Sequence, residues 1–363
     1  MNIQSIIRTV VPMAEIPQPK QWLSVLKYLI VCTLCLPTIG NAHHSFGAFY
    51  DMSKLVEVEG EVVSLVWRNP HIRFKLKATD ELGGETIWDM EAGSLNTLQR
   101  NGVGKDALQV GETLRVSGPA SLHGLDTMFA VSINFANGEE VILNPNLAAR
   151  LLPNFNDPRA NELAIADELI AESRIAAQGI FRVWVPVSRP VTGSGLYVWP
   201  LTPEGQAAKD SWDPLTDDPA LKCIPPGIPV AMDNPYPFEF TNQDDTIIMR
   251  LEEWDGVRTI YMTPRPAPPE LTAPHMGYSV GSWEDNTLVV TTTGIDYPFF
   301  DDVGSPQSPA ATVVEHFTLS ENDTRLDWTA RVTDPMYYSE PVTLSGHWAW
   351  SPGTQIKRYE CTL

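Results

Sequence analysis

Residues 72–77 read Ile-Arg-Phe-Lys-Leu-Lys, a run in which apolar and basic side chains alternate without a break. Alternation with a period of two predicts a β-strand that buries one face. Residues 56–63 alternate in a similar way, and further short strands are expected around Ile87 and Leu114. Such closely spaced strands within residues 43–143 favour a small, closed or nearly closed barrel of the OB type.

The same kind of alternation returns in residues 238–363, where turn residues interrupt it at regular intervals. Asp255-Gly256 and Glu284-Asp285-Asn286 are typical of the turns that join antiparallel strands. The pattern predicts an antiparallel, lipocalin-like barrel as the C-terminal domain of a mainly β protein. A barrel of about eight strands is just wide enough to be filled by side chains or to hold one small ligand.

Between the two β-rich regions, residues 144–237 form a connector that is rich in proline. Apolar residues at helical spacing predict a helix over residues 161–173. A second, shorter helix is expected at residues 203–209, because Thr202 is a good N-cap and Pro203 suits the first helical position.

The first 42 residues have the features of an export signal. Lys20 and Lys27 precede a short apolar run, and Gly40-Asn41-Ala42 fits the small-residue rule for cleavage after Ala42. The apolar run is too short to span a bilayer. We therefore expect a periplasmic or secreted protein without stable membrane insertion, whose mature chain begins at His43, or at Ala42 if cleavage shifts by one residue.

Charge and cysteine content narrow the function classes further. The formal charge is −20, and removal of the signal makes the mature chain still more acidic, which disfavours nucleic-acid partners. Cys223 and Cys361 are the cysteines that remain in the mature chain. In an exported protein they are expected to form one disulfide, which the chain-entropy model values at roughly 4 to 5 kcal/mol; the alternative is two buried free thiols.

Several separated motifs occur in order in residues 43–142: HHSFGAFYD, VWRNPHIRFKL and WDMEAGSLNTLQRNG. They resemble an exported bacterial domain family of unknown function with HHSF and W-x-NPH motifs. The later motifs KCIPPGIP, NPYPFEF and HMGYSVGSWEDNTLVVTTTG look like the β-rich C-terminal extension of such proteins. The resemblance implies an architecture rather than an activity. Where many relatives have G-x-PHS, this chain has Gly304-Ser305-Pro306-Gln307-Ser308, and where they have an E-R pair it has Glu315-His316.

Histidines at the predicted mature N-terminus suggest a metal site. His43 offers an α-amine and a ring nitrogen as a chelate, His44 follows it, and His71 is the candidate for a further imidazole ligand. Amine and imidazole nitrogens suit Cu(II), and copper is the one cofactor predicted. The alternative is that His43 and His44 form a frayed terminus and that His71 only supports the turn after Pro70.

A second candidate site combines carboxylates and a histidine: Asp301, Asp302, Glu315 and His316. Acid–base catalysis becomes available if an apolar setting raises the pKa of one of these carboxyls. Alternation places Glu315 on the more apolar face of its strand, opposite His316. The alternative is that Asp301 and Asp302 cap a turn and that Glu315 forms a salt bridge with Arg258 or Arg331.

Two functions follow from these observations. The first is an exported binding or accessory protein that holds a small apolar molecule in the C-terminal barrel and binds copper at its N-terminus. The second is a cofactor-free isomerase, lyase or cyclase that uses the carboxylates of that barrel. No P-loop occurs in the sequence, and the G-x-S-x-G match at Gly277–Gly281 lacks the strand-to-helix context of a serine-hydrolase elbow, so nucleotide chemistry and serine hydrolysis are not expected.

Overall fold

The computed structural model describes residues 49–79, 82–152, 155, 164–188, 198–268 and 270–362. The prediction of a mainly β protein is confirmed. The predicted export signal, His43 and His44 lie outside the described residues. Residues 42–363 belong to one compact unit, so the sheet and the barrel below are parts of the same body.

The N-terminal region is a seven-stranded sheet, and the predicted strand at residues 72–77 is part of it. In that strand Phe74 and Leu76 are buried, whereas Lys75 between them is exposed. The strands are β1 (Val56–Val66), β2 (Arg73–Thr79), β3 (Glu85–Glu91), β4 (Thr113–Gly118), β5 (Thr127–Phe129), β6 (Ser132–Phe135) and β7 (Glu140–Ile142), in the order β5-β3-β2-β1-β4-β6-β7.

This sheet has the connectivity of an OB fold. Strand β1 pairs antiparallel with both β2 and β4, and β3 pairs parallel with β5. A bridge between Ala120 and Met128, with a bond from the Phe129 amide to the Pro119 carbonyl, joins the end of β4 to β5 and completes the ring. Helix α1 (Leu95–Arg100) lies between β3 and β4 in sequence, and the Ser94 side chain caps it.

In its described residues, the connector contains three α-helices and one strand. Helix α2 covers Pro145–Leu151, α3 covers Asp167–Ala176 and α4 covers Pro203–Asp210. Thr202 caps α4 as predicted, since its hydroxyl accepts a bond from the Gly205 amide. Helix α3 begins later than the predicted 161–173, at a pair of acidic residues that suit a helix N-terminus. Strand β8 (Val183–Ser188) leaves the connector and enters the C-terminal barrel.

The C-terminal domain is a closed barrel of nine strands, so the predicted barrel is confirmed. Two details differ from a simple antiparallel meander: β8 closes the ring between the first and last strands of the domain, and β11 pairs parallel with β12. The remaining strands are β9 (Phe238–Gln243), β10 (Thr246–Leu251), β11 (Val257–Tyr261), β12 (Tyr278–Glu284), β13 (Thr287–Thr293), β14 (Thr312–Leu319), β15 (Arg325–Thr333) and β16 (Val342–Trp350).

Large side chains fill the barrel. Trp184, Trp328 and Trp348 are buried, and they pack with phenylalanines that include Phe238 and Phe317. The rings of Trp328 and Trp348 meet edge to face with their centroids 6.0 Å apart. Short 3₁₀ turns occur in the N-terminal region at Lys105–Ala107, and in the connector and barrel loops at Pro219–Lys222, Val230–Asp233, Glu253–Asp255 and Pro274–Met276.

The last described residues, 355–362, run between the OB domain and the barrel, and we call this segment the C-terminal strap. Its Cys361 forms the predicted disulfide with Cys223, which confirms that pairing. Cys361 also forms a parallel bridge with Asn69, which lies in the loop before β2. The strap therefore ties the two β-domains together.

Candidate functional site

His71 lies in the loop between β1 and β2 of the OB domain. Its Nδ1 is 2.8 Å from the backbone carbonyl oxygen of Ala92. Because a carbonyl oxygen only accepts hydrogen bonds, Nδ1 carries a proton, and in the neutral form of this ring the lone pair is on Nε2. The same Nδ1 is 3.2 Å from a carboxylate oxygen of Glu91. Metal-binding histidines commonly have this kind of support behind the nitrogen that does not touch the metal.

Glu91 links His71 to the start of the described chain. Its side chain is fully buried, and burial raises the pKa of its carboxyl, while His71 and Arg73 act in the opposite direction. The Tyr50 hydroxyl donates a bond of 3.2 Å to the second oxygen of Glu91. Burial, followed by the charge of Glu91, raises the pKa of Tyr50. One carboxylate thus contacts both His71 and a residue close to the predicted mature N-terminus.

Aromatic rings and a further histidine surround this group. The ring of Phe129 lies 5.9 Å from Tyr50 and 6.5 Å from His71, centroid to centroid. Phe49 packs against His123 with a centroid distance of 5.1 Å. His123 is not among the ligands predicted from the sequence. It lies in the loop between β4 and β5, which together with the β1–β2 loop forms the ligand side of many OB folds, so the predicted topology contained the signal that could have found it.

The predicted metal ligands are therefore only partly described. His71 is half-buried at the edge of the OB domain, and His43 and His44 lie outside the described residues. Within the described ranges, no group of three or more histidine, cysteine or acidic side chains is arranged to hold a metal ion. This finding does not cover a site that includes His43 or His44, because both lie outside the described residues.

Glu315 lies inside the barrel, on the apolar face that its strand pattern indicates, and is fully buried. It forms a buried ion pair with Arg258, the partner that the sequence analysis gave as the alternative to catalysis. The indole of Trp328 donates a bond of 3.1 Å to its other oxygen. Arg258 also donates to Ser279 and Thr292 at 3.0 and 2.6 Å.

His316 is on the opposite face of β14 from Glu315, half-buried and level with Val289 and Thr329 of the neighbouring strands. Adjacent residues of a strand point to opposite faces, so these two side chains do not form one site.

Asp301 and Asp302 lie in the loop between β13 and β14 and have different surroundings. Asp301 is buried and accepts bonds from the Trp199 indole and the Ser305 amide, both at 2.8 Å, as a turn-capping residue does. Burial raises the pKa of Asp302 to about 8, with further contributions from Asp233, Asp301 and Asp218. One oxygen of Asp302 is buried and has no hydrogen-bond partner among the described residues. None of the bonds described for either aspartate reaches Glu315.

The segment 304–308, where the chain departs from the resembling family, is closely packed. Lys209 donates a bond of 2.8 Å to the buried Ser305 hydroxyl. Gln307 is buried as well, and in the described part of the chain neither polar atom of its side-chain amide has a hydrogen-bond partner.

A small cavity lies at one end of the barrel. It has room for about one water molecule, much less than the several hundred Å³ of a typical small-molecule pocket. A small apolar molecule would have to displace side chains to bind there. Binding of such a molecule in the barrel stays a prediction. The lining residues are Ala231, Met232, Asn234, Tyr236, Pro237, Phe238, Leu251, Glu253 and Trp348.

Comparison with known proteins agrees with the N-terminal resemblance. Residues 31–127 match the model of a family described as a family of unknown function (DUF6152). This range includes the W-x-NPH segment with His71, Glu91 and His123. No curated protein matches the sequence. In the described part of the chain, no helix is both long and apolar enough to cross a bilayer.

Proposed function

We propose that this chain is an exported accessory protein that binds Cu(II) between its mature N-terminus and His71. The amine and ring nitrogen of His43 form the chelate, and the Nε2 atom of His71 completes the nitrogen ligands. If cleavage leaves Ala42 at the terminus, the histidine at position 44 becomes the third residue of the mature chain and chelates through backbone amide nitrogens instead.

The hydrogen bond from His71 to the Ala92 carbonyl carries this proposal. It fixes the tautomer in which Nε2 is the metal-binding nitrogen, and it limits rotation of the ring. Glu91, on the same side of the ring, favours electron donation by the imidazole. A histidine that serves only the turn after Pro70 has no need of a buried carboxylate behind it.

Chain length supports the proposed pairing of His43 with His71. Tyr50 is fastened to Glu91, the carboxylate that also lies beside His71. The seven residues from position 43 to position 50 reach at most about 25 Å when fully extended. A chelate at residue 43 would therefore start no more than about 25 Å from Tyr50, a span that allows it to reach the imidazole of His71.

The test is a Cu(II) titration of the processed protein, with the N-terminus verified by sequencing and the ligand set read by electron paramagnetic resonance. We expect one-to-one binding that is lost in His43→Ala and in His71→Ala. Glu91→Gln should weaken binding by about 10- to 100-fold, because it removes support for the His71 ring. His347→Ala, in strand β16, is the matched control and should bind as the parent does.

Two results would contradict the proposal. Loss of binding with His43→Ala alone would mean that copper is chelated by the free terminus without His71. Absence of one-to-one binding in the processed parent protein would remove the metal site altogether.

Acid–base catalysis by Asp302 is the second candidate. The observation in its favour is a carboxyl that burial and three neighbouring aspartates hold at a pKa of about 8, where acid and base forms coexist near neutral pH. Titration of this carboxyl by carbon NMR, assigned with Asp302→Asn, should show a midpoint well above the ordinary value of 3.8. A midpoint near 3.8 would contradict the proposed acid–base role of Asp302.

A further inference from the structure

The C-terminal strap holds the loop that carries His71. The Asn69 side-chain amide donates to the Tyr359 carbonyl, and its oxygen accepts a bond of 2.9 Å from the Leu95 amide. The backbone carbonyl of Asn69 accepts a bond of 3.3 Å from Thr362. Asn69 is almost fully buried by these contacts and is separated from His71 only by Pro70.

The other face of the strap is bound to the barrel. Both oxygens of Asp255 accept backbone bonds from the strap, at 2.8 Å from Tyr359 and 2.9 Å from Glu360. Glu252 accepts a bond of 2.9 Å from the Lys357 amide. A disulfide between Cys361 and Cys223 also attaches the strap covalently to the connector. Both cysteines are half-buried.

We propose that the strap couples the Cys223–Cys361 disulfide to the Cu(II) site, so that reduction of the disulfide lowers the affinity of the His71 site for copper. This inference rests on the proposed function. Cys361 lies beside Asn69, so release of Cys361 loosens the backbone that fixes Asn69, and the position of His71 is loosened with it. The disulfide thus acts as a redox-sensitive control of the metal site.

The reducing partner is a dithiol. One of its thiolates attacks a sulfur of the disulfide, the sulfur–sulfur bond breaks, and a mixed disulfide forms. The second thiol of the partner then displaces the remaining protein sulfur. Two electrons pass to the protein, two protons are taken up by Cys223 and Cys361, and the partner leaves as its own disulfide.

Coupling of this kind is reciprocal. If reduction weakens copper binding by some factor, bound copper must make the disulfide harder to reduce by the same factor. The effect on copper is measured by metal titration of the oxidised protein and of a variant without the disulfide.

The experiment compares three proteins by Cu(II) titration and by amide hydrogen exchange of residues 69–72: the oxidised parent, Cys223→Ser/Cys361→Ser, and Asp255→Ala. The third variant loosens the strap while leaving the disulfide intact, which keeps the test informative if the double variant folds poorly. Asp285→Ala is the matched control, since Asp285 has the same positive φ of 52° at a turn distant in sequence from the strap contacts. We expect copper affinity to fall about tenfold or more in both strap variants, with faster exchange at residues 69–72.

The outcomes separate this inference from the proposed function. Equal copper affinity in the parent and both strap variants would overturn the coupling and leave the metal site in place. If the parent binds no copper, the proposed function fails and the redox control fails with it; faster exchange at residues 69–72 would then show only that the strap orders this loop.

Discussion

At the scale of single residues, Glu315 forms a buried ion pair with Arg258 inside the barrel. Both side chains are fully buried, and their charges are compensated by each other and by Ser279, Thr292 and Trp328. A buried pair contributes little compared with apolar residues of the same size, but losing one partner leaves an uncompensated charge. The barrel therefore depends on both residues together.

Glu315→Gln should destabilise the protein by about 3 to 5 kcal/mol, because the guanidinium of Arg258 is left buried without a counter-charge. Urea unfolding followed by tryptophan fluorescence measures this. The double variant Arg258→Met/Glu315→Leu should recover most of the loss. Arg325→Ala, which breaks an exposed pair with Asp327, is the control and should change stability little.

If the double variant loses as much stability as Glu315→Gln, the loss does not come from the uncompensated charge of Arg258. An unchanged unfolding midpoint in Glu315→Gln would place Glu315 in contact with water, against its complete burial.

Asp302 gives the protein a dependence on pH. Its pKa is about 8 in the folded protein and near the ordinary 3.8 when unfolded, so between these values the folded state binds the extra proton. The contribution of this group to stability is therefore greatest at low pH and declines as pH rises towards 8. Relative to the parent, Asp302→Asn should gain about 1 to 3 kcal/mol between about pH 5 and pH 8.

Chemical denaturation of both proteins at the two pH values tests this expectation. Asp327→Asn, at a half-exposed position of β15, controls for the loss of a carboxylate as such. A stability difference between the parent and Asp302→Asn that stays constant with pH would contradict the raised pKa.

Sequence patterns predicted the inner position of Glu315 but not the surroundings of Asp302 or the contact of Tyr50 with Glu91. Alternation along β14 was enough to place Glu315 on the inner face, because side-chain direction in a strand depends only on position. The raised pKa of Asp302 depends first on burial and then on neighbours that include Asp233 and Asp218, which come from the connector and are brought near by the tertiary fold. No local pattern contains that information, and the same holds for the contact of Tyr50 with Glu91.

At the scale of elements, closure of the OB ring depends on Gly118 at the end of β4. A Cβ atom at this position would lie 1.8 Å from the carbonyl oxygen of Phe129, so the close approach of the two chain segments requires glycine. Gly118→Ala should cost at least about 1 to 3 kcal/mol, as overpacking usually does. Thermal unfolding monitored by circular dichroism measures the loss.

Gly104→Ala is the matched control, because a Cβ atom there meets nothing within 4 Å and its φ of −93° suits any residue. Equal melting temperatures for the two alanine variants would mean that the β4–β5 contact can widen without cost.

The strands themselves could be predicted from the sequence, but their complete arrangement could not. Strand β8 includes Pro186 and lies in a proline-rich stretch, so its pattern indicated a connector. Its place in the barrel depends on pairing with β16 and β9, both distant in sequence. The parallel pairing of β11 with β12 was also missed, because the run between them was interpreted as part of an antiparallel meander.

At the scale of the whole molecule, a charged cluster joins the OB domain to the barrel. Arg100 of helix α1 binds both oxygens of Glu252, which is fully buried beside the C-terminal strap. Asn96 adds a bond of 3.0 Å to the same carboxylate. The two domains should therefore unfold as one unit as long as this cluster is intact.

Arg100→Ala should separate the single calorimetric transition of the parent into two, since the barrel keeps a buried charge that has lost its partner. Differential scanning calorimetry shows this directly. Arg115→Ala removes an exposed pair with Glu59 on the OB domain and should retain one transition. A single transition in Arg100→Ala would assign the coupling of the domains to the disulfide and the remaining strap contacts.

The position of β8 also determines the order in which the molecule can be assembled. Synthesis delivers Val183–Ser188 early, but one of its two neighbours, β16, begins only at Val342. Until then β8 has an unpaired edge, which is a site for pairing with other chains. Closing such a distant pairing is slow compared with local contacts. The barrel can be completed only after β16 has emerged, so during biogenesis the protein needs protection from aggregation for longer than its local hairpins alone would require.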